Sequence, residues 1–220
     1  MTLQSTTTLA ASAAPGASAD RWAEGRAALR AADPRMAALV DERPLLDPDA
    51  FFDTWPSELW SALVAQVIGQ EISLAAAGAI RRRLQALCGG RLPSPEQLLA
   101  LDEGTLRAVG LSRAKMVYLQ DLAARLVDGR LDLARLRAMD DDAARDELTR
   151  IKGVGRFTAD GVLLLTLRRA DIWPAGDLAL RRAVARVWDL EQPLSLAEAD
   201  AVGERFRPWR TLAAVYLLTR

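Results

Sequence analysis

One segment carries the strongest structural signal in the chain: Leu148-Thr-Arg-Ile-Lys-Gly-Val-Gly-Arg-Phe-Thr-Ala-Asp160. The pattern predicts that one helix ends, that a turn holds two glycines separated by a single residue, and that a second helix begins. Gly153 and Gly155 lack a Cβ atom, so the chain can turn sharply and bring backbone N–H groups against a ligand. The N-terminus of the second helix favours an anion, and a DNA phosphate fits that description.

Positive charge surrounds this turn. Arg150, Lys152 and Arg156 flank the two glycines, although 29 basic residues balance 29 acidic residues over the whole chain. The local placement of charge therefore argues for a nucleic-acid backbone, whereas the net charge gives no indication of a partner. The alternative is an ordinary pair of connected helices in which a glycine merely ends the first helix.

The rest of the chain also has helical periodicity. From Asp20 onward apolar residues recur at intervals of three and four, and no convincing strand run occurs. We predict an all-α fold, a compact helical bundle of about ten helices that contains the hairpin. The predicted boundaries are a helix start at Thr54 and Pro56, N-caps at Ser73, Ser94 and Ser112, helix ends at Gly89 and Gly129, and later helices at 157–169, 178–189, 196–205 and 208–219.

The length and composition limit both the domain count and the chemistry. Residues 1–19 are rich in Ser, Thr and Ala and predict a disordered tail, and residues 20–220 predict one domain. The chain has no His and a single Cys, which excludes a Ser-His-Asp triad, a Cys-His pair, a zinc finger, a four-Cys iron–sulfur cluster and an intramolecular disulfide. We expect Cys88 to be a buried, reduced thiol and the protein to be cytoplasmic, without a membrane span.

Five stretches resemble one family of DNA repair enzymes. The hairpin segment resembles the helix-hairpin-helix motif of base-excision DNA glycosylases, and Trp173-Pro-Ala-Gly-Asp177-Leu-Ala-Leu-Arg-Arg resembles their catalytic loop. Three further stretches resemble the 3-methyladenine DNA glycosylase II branch, which excises alkylated bases: 63–73, 110–119 and 208–210. The matches stand in the family's order, so the resemblance implies a helix-hairpin-helix DNA glycosylase in a compact form, without the β-rich N-terminal domain of larger members.

The resemblance assigns the chemistry to Asp177. A carboxylate beside C1′ can stabilise an oxocarbenium-like state and orient or deprotonate the attacking water. The alternative is that Asp177 only caps the helix that follows, and the two roles are compatible. Bifunctional members carry a Schiff-base lysine at the position that Phe157 occupies here. The resemblance therefore implies a monofunctional enzyme that releases alkylated purines of the 3-methyladenine and 7-methylguanine type and leaves an abasic site.

Base flipping requires a residue that fills the gap left in the duplex. Gln70 and Glu71 stand at the turn that the family uses for this purpose. We expect Gln70 to fill the gap and Glu71 to face away, because a carboxylate between bases would lose its hydration. Both side chains can equally be ordinary polar turn residues.

The flipped base also needs an aromatic pocket. Phe157 and Trp173 are the predicted pocket residues, and core packing is the alternative for each. The sequence departs from the family pattern at Gly161 and Leu218, where the best-known members have aromatic residues, so we expect a roomier pocket. Other aromatic candidates, for which packing is the more ordinary role, are Trp60, Trp188 and Tyr216.

The predicted partner is duplex DNA containing alkylated bases, bound by a monomer. The predicted DNA contacts are Gly153, Gly155, Lys152, Arg156 and Gln70. No cofactor is required, although the resemblance implies a structural monovalent cation held by backbone carbonyls of Thr149, Ile151 and Val154.

Two charge runs have structural interpretations. Residues 81–83 predict a solvated helix face, and residues 140–142 predict the start of the helix before the hairpin. Two rival functions remain open. One is a non-catalytic helix-hairpin-helix DNA-binding protein, against which an intact Asp177 argues. The other is a helical protein-interaction module, which leaves the glycine turn unexplained.

Overall fold

The computed structural model describes residues 20–191 and 194–219, and the predicted disordered tail lies outside these residues. Within them the regular structure is helical, with fourteen α-helices, one short 3₁₀ helix and no strand. The helices are α1 Ala23–Ala32, α2 Pro34–Glu42, α3 Pro48–Phe52, α4 Leu59–Gly69, α5 Leu74–Ala86, α6 Pro95–Ala100, α7 Glu103–Ala108, α8 Arg113–Val127, α9 Leu133–Ala138, α10 Asp141–Thr149, α11 Arg156–Leu165, α12 Leu178–Trp188, α13 Leu196–Gly203 and α14 Arg210–Leu218, with the 3₁₀ helix over Glu204–Phe206.

The all-α prediction is confirmed, but the described residues form more helices than the sequence suggested. Four of them, α3, α6, α7 and α9, have only five or six residues. Such short helices contain too few turns for the apolar period to separate them from their neighbours. The helix predicted at 157–169 is shorter than expected and ends at Leu165.

Most predicted helix starts are confirmed by their caps. The hydroxyl groups of Ser73, Ser94 and Ser112 each accept a backbone N–H from the third residue of the helix that follows. Asp140 does the same for α10, so the acidic run does begin that helix. Each such bond satisfies a donor that the first helical turn leaves without a partner.

The helix start predicted at Thr54 and Pro56 is wrong. Helix α4 begins later, at Leu59, because the Glu58 carboxylate is the N-cap and accepts two backbone N–H groups over 2.8 and 2.7 Å. A glutamate is an unusual N-cap, and the serine, threonine and proline pattern therefore gave the wrong position.

The described residues divide into two compact units. The first unit is Phe52–Arg169 and contains the hairpin. In it α4 packs against α5, α8 and α11, around the buried side chains of Leu63, Val67, Leu119, Leu122 and Val162. The second unit combines 20–51 with 170–191 and 194–219 and contains Asp177. Its core is built around Trp22, Met36, Trp173, Phe206 and Tyr216.

Two surface features qualify the composition arguments. Cys88 is half-buried in the turn after α5, so the expectation of a buried thiol is wrong. Arg82 and Arg83 on α5 are exposed, as a solvated helix face requires. None of the helices in the described ranges combines the length and the apolar character that a membrane span needs.

Candidate functional site

The hairpin consists of α10, the connection 150–155 and α11, and its two glycines have different roles. Gly153 has φ +75°, and a Cβ atom there would lie 2.2 Å from the ring of Tyr118. Both the backbone conformation and the packing therefore require glycine at this position. Gly155 has φ −89°, and a Cβ atom there would meet nothing within 4 Å. The sharp turn thus depends on Gly153 alone, whereas Gly155 leaves open space in front of the α11 N-terminus.

The N-terminus of α11 has no side-chain cap. Its N-cap is Gly155, which offers no acceptor to the first N–H groups of the helix. Helix α10, by contrast, is capped by the carboxylate of Asp140. Uncapped N–H groups behind an open glycine form an anion-binding geometry, since the donors and the helix dipole point the same way.

The carboxylate of Asp121 on α8 holds the hairpin connection. One of its oxygens accepts the backbone N–H of Lys152 over 2.9 Å and the Arg125 guanidinium over 2.8 Å. Burial favours the neutral acid, but these bonds outweigh burial and lower the pKa of Asp121. The exposed Lys152 side chain therefore extends from a backbone that is fixed from behind.

A buried ion pair joins the two hairpin helices. The Asp160 side chain of α11 is fully buried, and one of its oxygens accepts the Arg145 guanidinium of α10 over 2.7 Å. The other oxygen lies 3.6 Å from the Nε atom of Arg156. The Arg150 guanidinium instead pairs with Glu147 over 2.5 Å. Asp160 therefore both clamps the hairpin and orients Arg156 at its surface.

The Gln70 side chain is bonded to the hairpin. Its amide nitrogen donates to the Gly153 carbonyl over 2.9 Å and to the Thr158 hydroxyl over 3.3 Å. The exposed residue of this turn is Glu71, which has φ +58°. This arrangement differs from the expectation that Gln70 projects and Glu71 faces away. In this structure Gln70 joins the predicted gap-filling turn to the hairpin.

Lys115 of α8 holds the same turn, although no sequence motif singles it out. It is buried, and its ammonium group donates to the carbonyls of Ile68 and Gln70 over 2.7 Å each. Burial lowers the pKa of Lys115, and the nearby Glu71 carboxylate only partly opposes this. Its ammonium satisfies carbonyls that the end of α4 leaves without helical partners. The one sequence signal is its place beside the apolar stripe of α8.

One face of α8 therefore supports the candidate DNA-binding elements. Lys115, Tyr118, Asp121 and Arg125 follow one another at intervals of three and four residues, which places them on the same side of the helix. Lys115 binds the turn after α4, Tyr118 packs against Gly153, and Asp121 binds the Lys152 backbone. Arg125 completes the row by binding the Asp121 carboxylate.

Asp177 lies in the second unit, at the N-cap of α12. One carboxylate oxygen, Oδ1, accepts the Ala179 N–H over 2.7 Å. The other, Oδ2, is buried and has no hydrogen-bond partner within the described residues, and the residue is 1% exposed. Desolvation raises the pKa of Asp177 in spite of the helix N–H groups and Arg181, which oppose it. Capping and catalysis are therefore compatible, because each can use a different oxygen.

The loop that carries Asp177 is anchored by Trp173. The indole N–H donates to the Ala199 carbonyl over 2.9 Å, and the ring packs against Gly203 and Phe206. At 2% exposure Trp173 has no face available to a base, so its prediction as a pocket residue is corrected. The indole is a core side chain that fixes the start of the loop.

The C-terminal signature, Pro208-Trp209-Arg210, holds the same loop. The buried Arg210 guanidinium donates to the Asp171 carboxylate over 2.7 Å and to the Asp171 carbonyl over 2.7 Å. Asp171 precedes Trp173 by two residues, so Arg210 binds the segment that leads into the Asp177 loop. The signature therefore has a positioning function within the second unit.

The remaining aromatic candidates differ in whether their side chains are held within the core. Trp60, Trp188 and Tyr216 each use their polar atom within their own unit: Trp60 on the Pro93 carbonyl, Trp188 on Asp33 and Tyr216 on the Arg43 carbonyl. Phe157, in the first turn of α11, is only half-buried. Of the two predicted pocket residues, Phe157 is the less enclosed.

The hairpin carbonyls fit the implied cation. Within the described residues the carbonyls of Thr149 and Val154 accept no backbone hydrogen bond, and that of Ile151 accepts the Val154 N–H over 3.0 Å. Thr149 ends α10 and Ile151 follows it by two residues, next to the helix C-terminus, where the dipole favours positive charge. Oxygen donors of this kind suit a hard monovalent cation.

Comparison with known proteins places these features in a family context. The model of the HhH-GPD superfamily of base excision DNA repair proteins matches residues 64–207. DNA-3-methyladenine glycosylase 1 of Schizosaccharomyces pombe is 30% identical over 162 residues, which are 73% of this chain and 71% of that protein.

Two solved structures are similar over most of their length. The S. pombe 3-methyladenine DNA glycosylase in complex with abasic DNA has a TM-score of 0.76 and 26% identity, over 89% of this chain and 95% of that one. The DNA-3-methyladenine glycosidase of Bacillus halodurans has a TM-score of 0.68 and 28% identity, over 84% and 88% of the two chains. The fold of this chain is thus similar to that of two proteins named as 3-methyladenine DNA glycosylases or glycosidases.

Proposed function

The chain belongs to the HhH-GPD superfamily of base excision DNA repair proteins, and from this we propose that it is a monofunctional DNA glycosylase for alkylated purines. It hydrolyses the N-glycosidic bond of nucleotides of the 3-methyladenine and 7-methylguanine type and leaves an abasic site. The observation that carries this proposal is the second carboxylate oxygen of Asp177, which is buried and has no hydrogen-bond partner in the described part of the chain.

The chemistry needs a carboxylate and no histidine. The C1′–N bond breaks as the purine leaves with both electrons, and an alkylated purine, already cationic, departs as a neutral base. The sugar becomes oxocarbenium-like, and the Asp177 carboxylate stabilises that charge while its other oxygen stays on the helix. Water then forms the new C1′–O bond and loses a proton. A raised pKa makes the carboxylate a better acceptor for that proton.

The absence of a suitable amine supports hydrolysis by water rather than by a Schiff base. The chain contains two lysines, Lys115 and Lys152. The Lys115 ammonium is held by two backbone carbonyls, and Lys152 precedes the hairpin glycines rather than following them. The position of the bifunctional lysine is Phe157. A Schiff-base intermediate therefore lacks its nucleophile at the expected place.

DNA binding follows from the hairpin geometry. A phosphate can approach the uncapped N-terminus of α11 across Gly155, and Lys152 and Arg156 supply the positive charge. A monovalent cation on the carbonyls of Thr149, Ile151 and Val154 would add positive charge at the same turn. These contacts recognise the backbone rather than the sequence, as a repair enzyme that searches duplex DNA requires.

The direct test is release of free base from methylated duplex DNA by the wild type and by Asp177→Asn. Asparagine keeps the cap and the volume and removes only the charge. We expect the wild type to release 3-methyladenine and 7-methylguanine, and the variant to bind the same duplex while releasing almost none. If both proteins bind DNA and neither releases a base, the chain is a non-catalytic DNA-binding protein. If neither binds DNA in a salt-dependent way, a protein-interaction module takes its place.

A further inference from the structure

The space beside Gly161 is occupied by a glutamine. Gly161 lies on α11, one helical turn after Phe157, at a position where the sequence departs from the aromatic pattern of the family. A Cβ atom on Gly161 would lie 2.9 Å from the amide nitrogen of Gln66 and 3.5 Å from its amide oxygen. Gln66 is on α4, which packs against α11 in the first unit. The missing side chain therefore leaves an amide group at this position rather than the roomier pocket expected.

The Gln66 amide has no partner among the described residues. The residue is 7% exposed, so its side chain is enclosed by protein over most of its surface. The amide forms no hydrogen bond within the described ranges. Its two polar atoms are not fully enclosed, so a ligand or water can reach them. A buried amide without partners costs free energy unless a ligand or water supplies them. Its neighbours Val67 and Ile68, by contrast, are apolar core residues.

The amide lies close to Phe157, the half-buried aromatic candidate of α11. Phe157 and Gly161 are one turn apart on α11, so they share a helix face and their side-chain positions are about 6 Å apart. A purine stacked on the half-buried Phe157 ring would present an edge toward Gly161. The group that it meets there is the Gln66 amide, which offers one donor and one acceptor side by side.

We infer that Gln66 reads the edge of the flipped base and gives the enzyme a preference for alkylated adenine. This inference rests on the proposed glycosylase function. A glutamine amide forms a paired contact with the N6 amino group and N7 of adenine. In 3-methyladenine both groups are unmodified. In 7-methylguanine N7 carries the methyl group and an oxygen replaces the amino group, so that paired contact is lost.

The test compares two bases released in the same reaction. DNA treated with a methylating agent contains both lesions, and single-turnover rates for 3-methyladenine and 7-methylguanine are measured for the wild type and Gln66→Met. Methionine keeps the length and volume of the side chain and removes the donor and acceptor. We expect release of 3-methyladenine to slow roughly tenfold or more, and release of 7-methylguanine to change much less. Gln85→Met, a glutamine substitution on α5 of the same unit, should leave both rates unchanged.

A second variant acts on the same amide from the other side. Gly161→Ala places a methyl group against the Gln66 amide and should shift the ratio of the two rates in the same direction. Equal slowing of both bases, or an unchanged ratio in both variants, contradicts the inference and leaves Gln66 a packing residue. Binding to a duplex with an abasic-site analogue identifies a variant that has lost its fold. A wild type that releases neither base overturns the proposed function and this inference together, whereas an unchanged ratio overturns only the inference.

Discussion

The Asp121 carboxylate accepts the backbone N–H of Lys152 over 2.9 Å, so α8 holds the hairpin connection from behind. The same oxygen accepts the Arg125 guanidinium, and the Tyr118 ring packs under Gly153 one turn earlier on α8. The turn that we propose to bind DNA is thus already fixed in the free protein. Such preorganisation reduces the ordering that binding would otherwise require.

Removal of the Asp121 charge should loosen this turn. In Asp121→Asn the charge-assisted bonds to Lys152 and Arg125 become neutral, and we expect the free energy of unfolding to fall by roughly 1.5–3 kcal/mol. Affinity for duplex DNA should fall as well. The matched control is Asp128→Asn, whose carboxylate pairs with Arg130 at the surface and should leave stability nearly unchanged. Equal effects of the two substitutions in denaturant titrations would contradict the role given to Asp121.

The bonds to the Asp121 carboxylate should also make the stability of the protein depend on pH. The pKa of Asp121 in the folded protein is below its ordinary value of 3.8, so the folded state favours the charged form. Its contribution to stability is therefore fully present above the unfolded value and is lost as the pH falls through the folded pKa. The difference in stability between the wild type and Asp121→Asn should be constant near neutral pH and shrink below pH 3.8. A stability difference that grows on acidification would contradict this prediction.

The two hairpin glycines should respond differently to alanine. Gly153→Ala places a methyl group into the Tyr118 ring at a positive φ, and we expect a loss of stability of about 2 kcal/mol or more. Gly155→Ala meets nothing and keeps an ordinary φ, so the fold should be unaffected. Its methyl group would still occupy the space through which a phosphate approaches, and DNA affinity should fall. Melting temperature and duplex binding, measured on both variants, separate these effects. Unchanged DNA affinity in Gly155→Ala would remove this position from the interface.

Asp177→Asn should stabilise the protein while it abolishes catalysis. Burial raises the pKa of Asp177, so at neutral pH the folded state holds a charge that it disfavours. The cost grows as the pH rises from the unfolded pKa through the folded pKa. We expect Asp177→Asn to raise the free energy of unfolding at neutral pH by roughly 0.5–2 kcal/mol. The gain should vanish below pH 3.8, the ordinary value for the acid. A destabilised variant at neutral pH would show that the cap needs the charge more than burial opposes it.

The pH dependence of base release should report the ionisation of Asp177. Only the ionised Asp177 carboxylate stabilises an oxocarbenium-like sugar, so the single-turnover rate should fall as the pH drops through its raised pKa. The midpoint should lie above 3.8, in contrast to an exposed aspartate. Residual activity of Asp177→Asn, if any, should lack this limb of the profile. The same limb in both proteins would assign it to another acid.

The sequence predicted the features that local chemistry controls and missed those that depend on distant contacts. The caps at Ser73, Ser112 and Asp177 follow from residue types next to helix starts. The role of Lys115 requires knowing that α8 lies beside the end of α4. Likewise Gln66 acquires meaning only because Gly161 lies opposite it on another helix. No local pattern contains such a pairing, because the two partners are far apart in the chain.

Trp173 and Phe157 provide the sharpest contrast between core and pocket. Both are aromatic residues within motifs that resemble the family, but Trp173 is enclosed and bonded to Ala199, whereas Phe157 is half-buried. We expect Trp173→Ala to reduce the free energy of unfolding by about 3–5 kcal/mol, as for other large core truncations. Phe157→Ala should cost much less stability and should slow base release, because the stacking surface is lost.

Comparing the loss of stability with the loss of activity in each variant distinguishes a core residue from a pocket residue. Denaturant midpoints give the stability of each variant, and base release is measured under conditions where each variant remains folded. Trp173→Ala should then lose activity only to the extent that the Asp177 loop moves. If Phe157→Ala is as destabilising as Trp173→Ala and releases base at the wild-type rate, the ring at 157 is core and the flipped base must stack elsewhere. In that case the Gln66 amide also loses its position at the edge of the base.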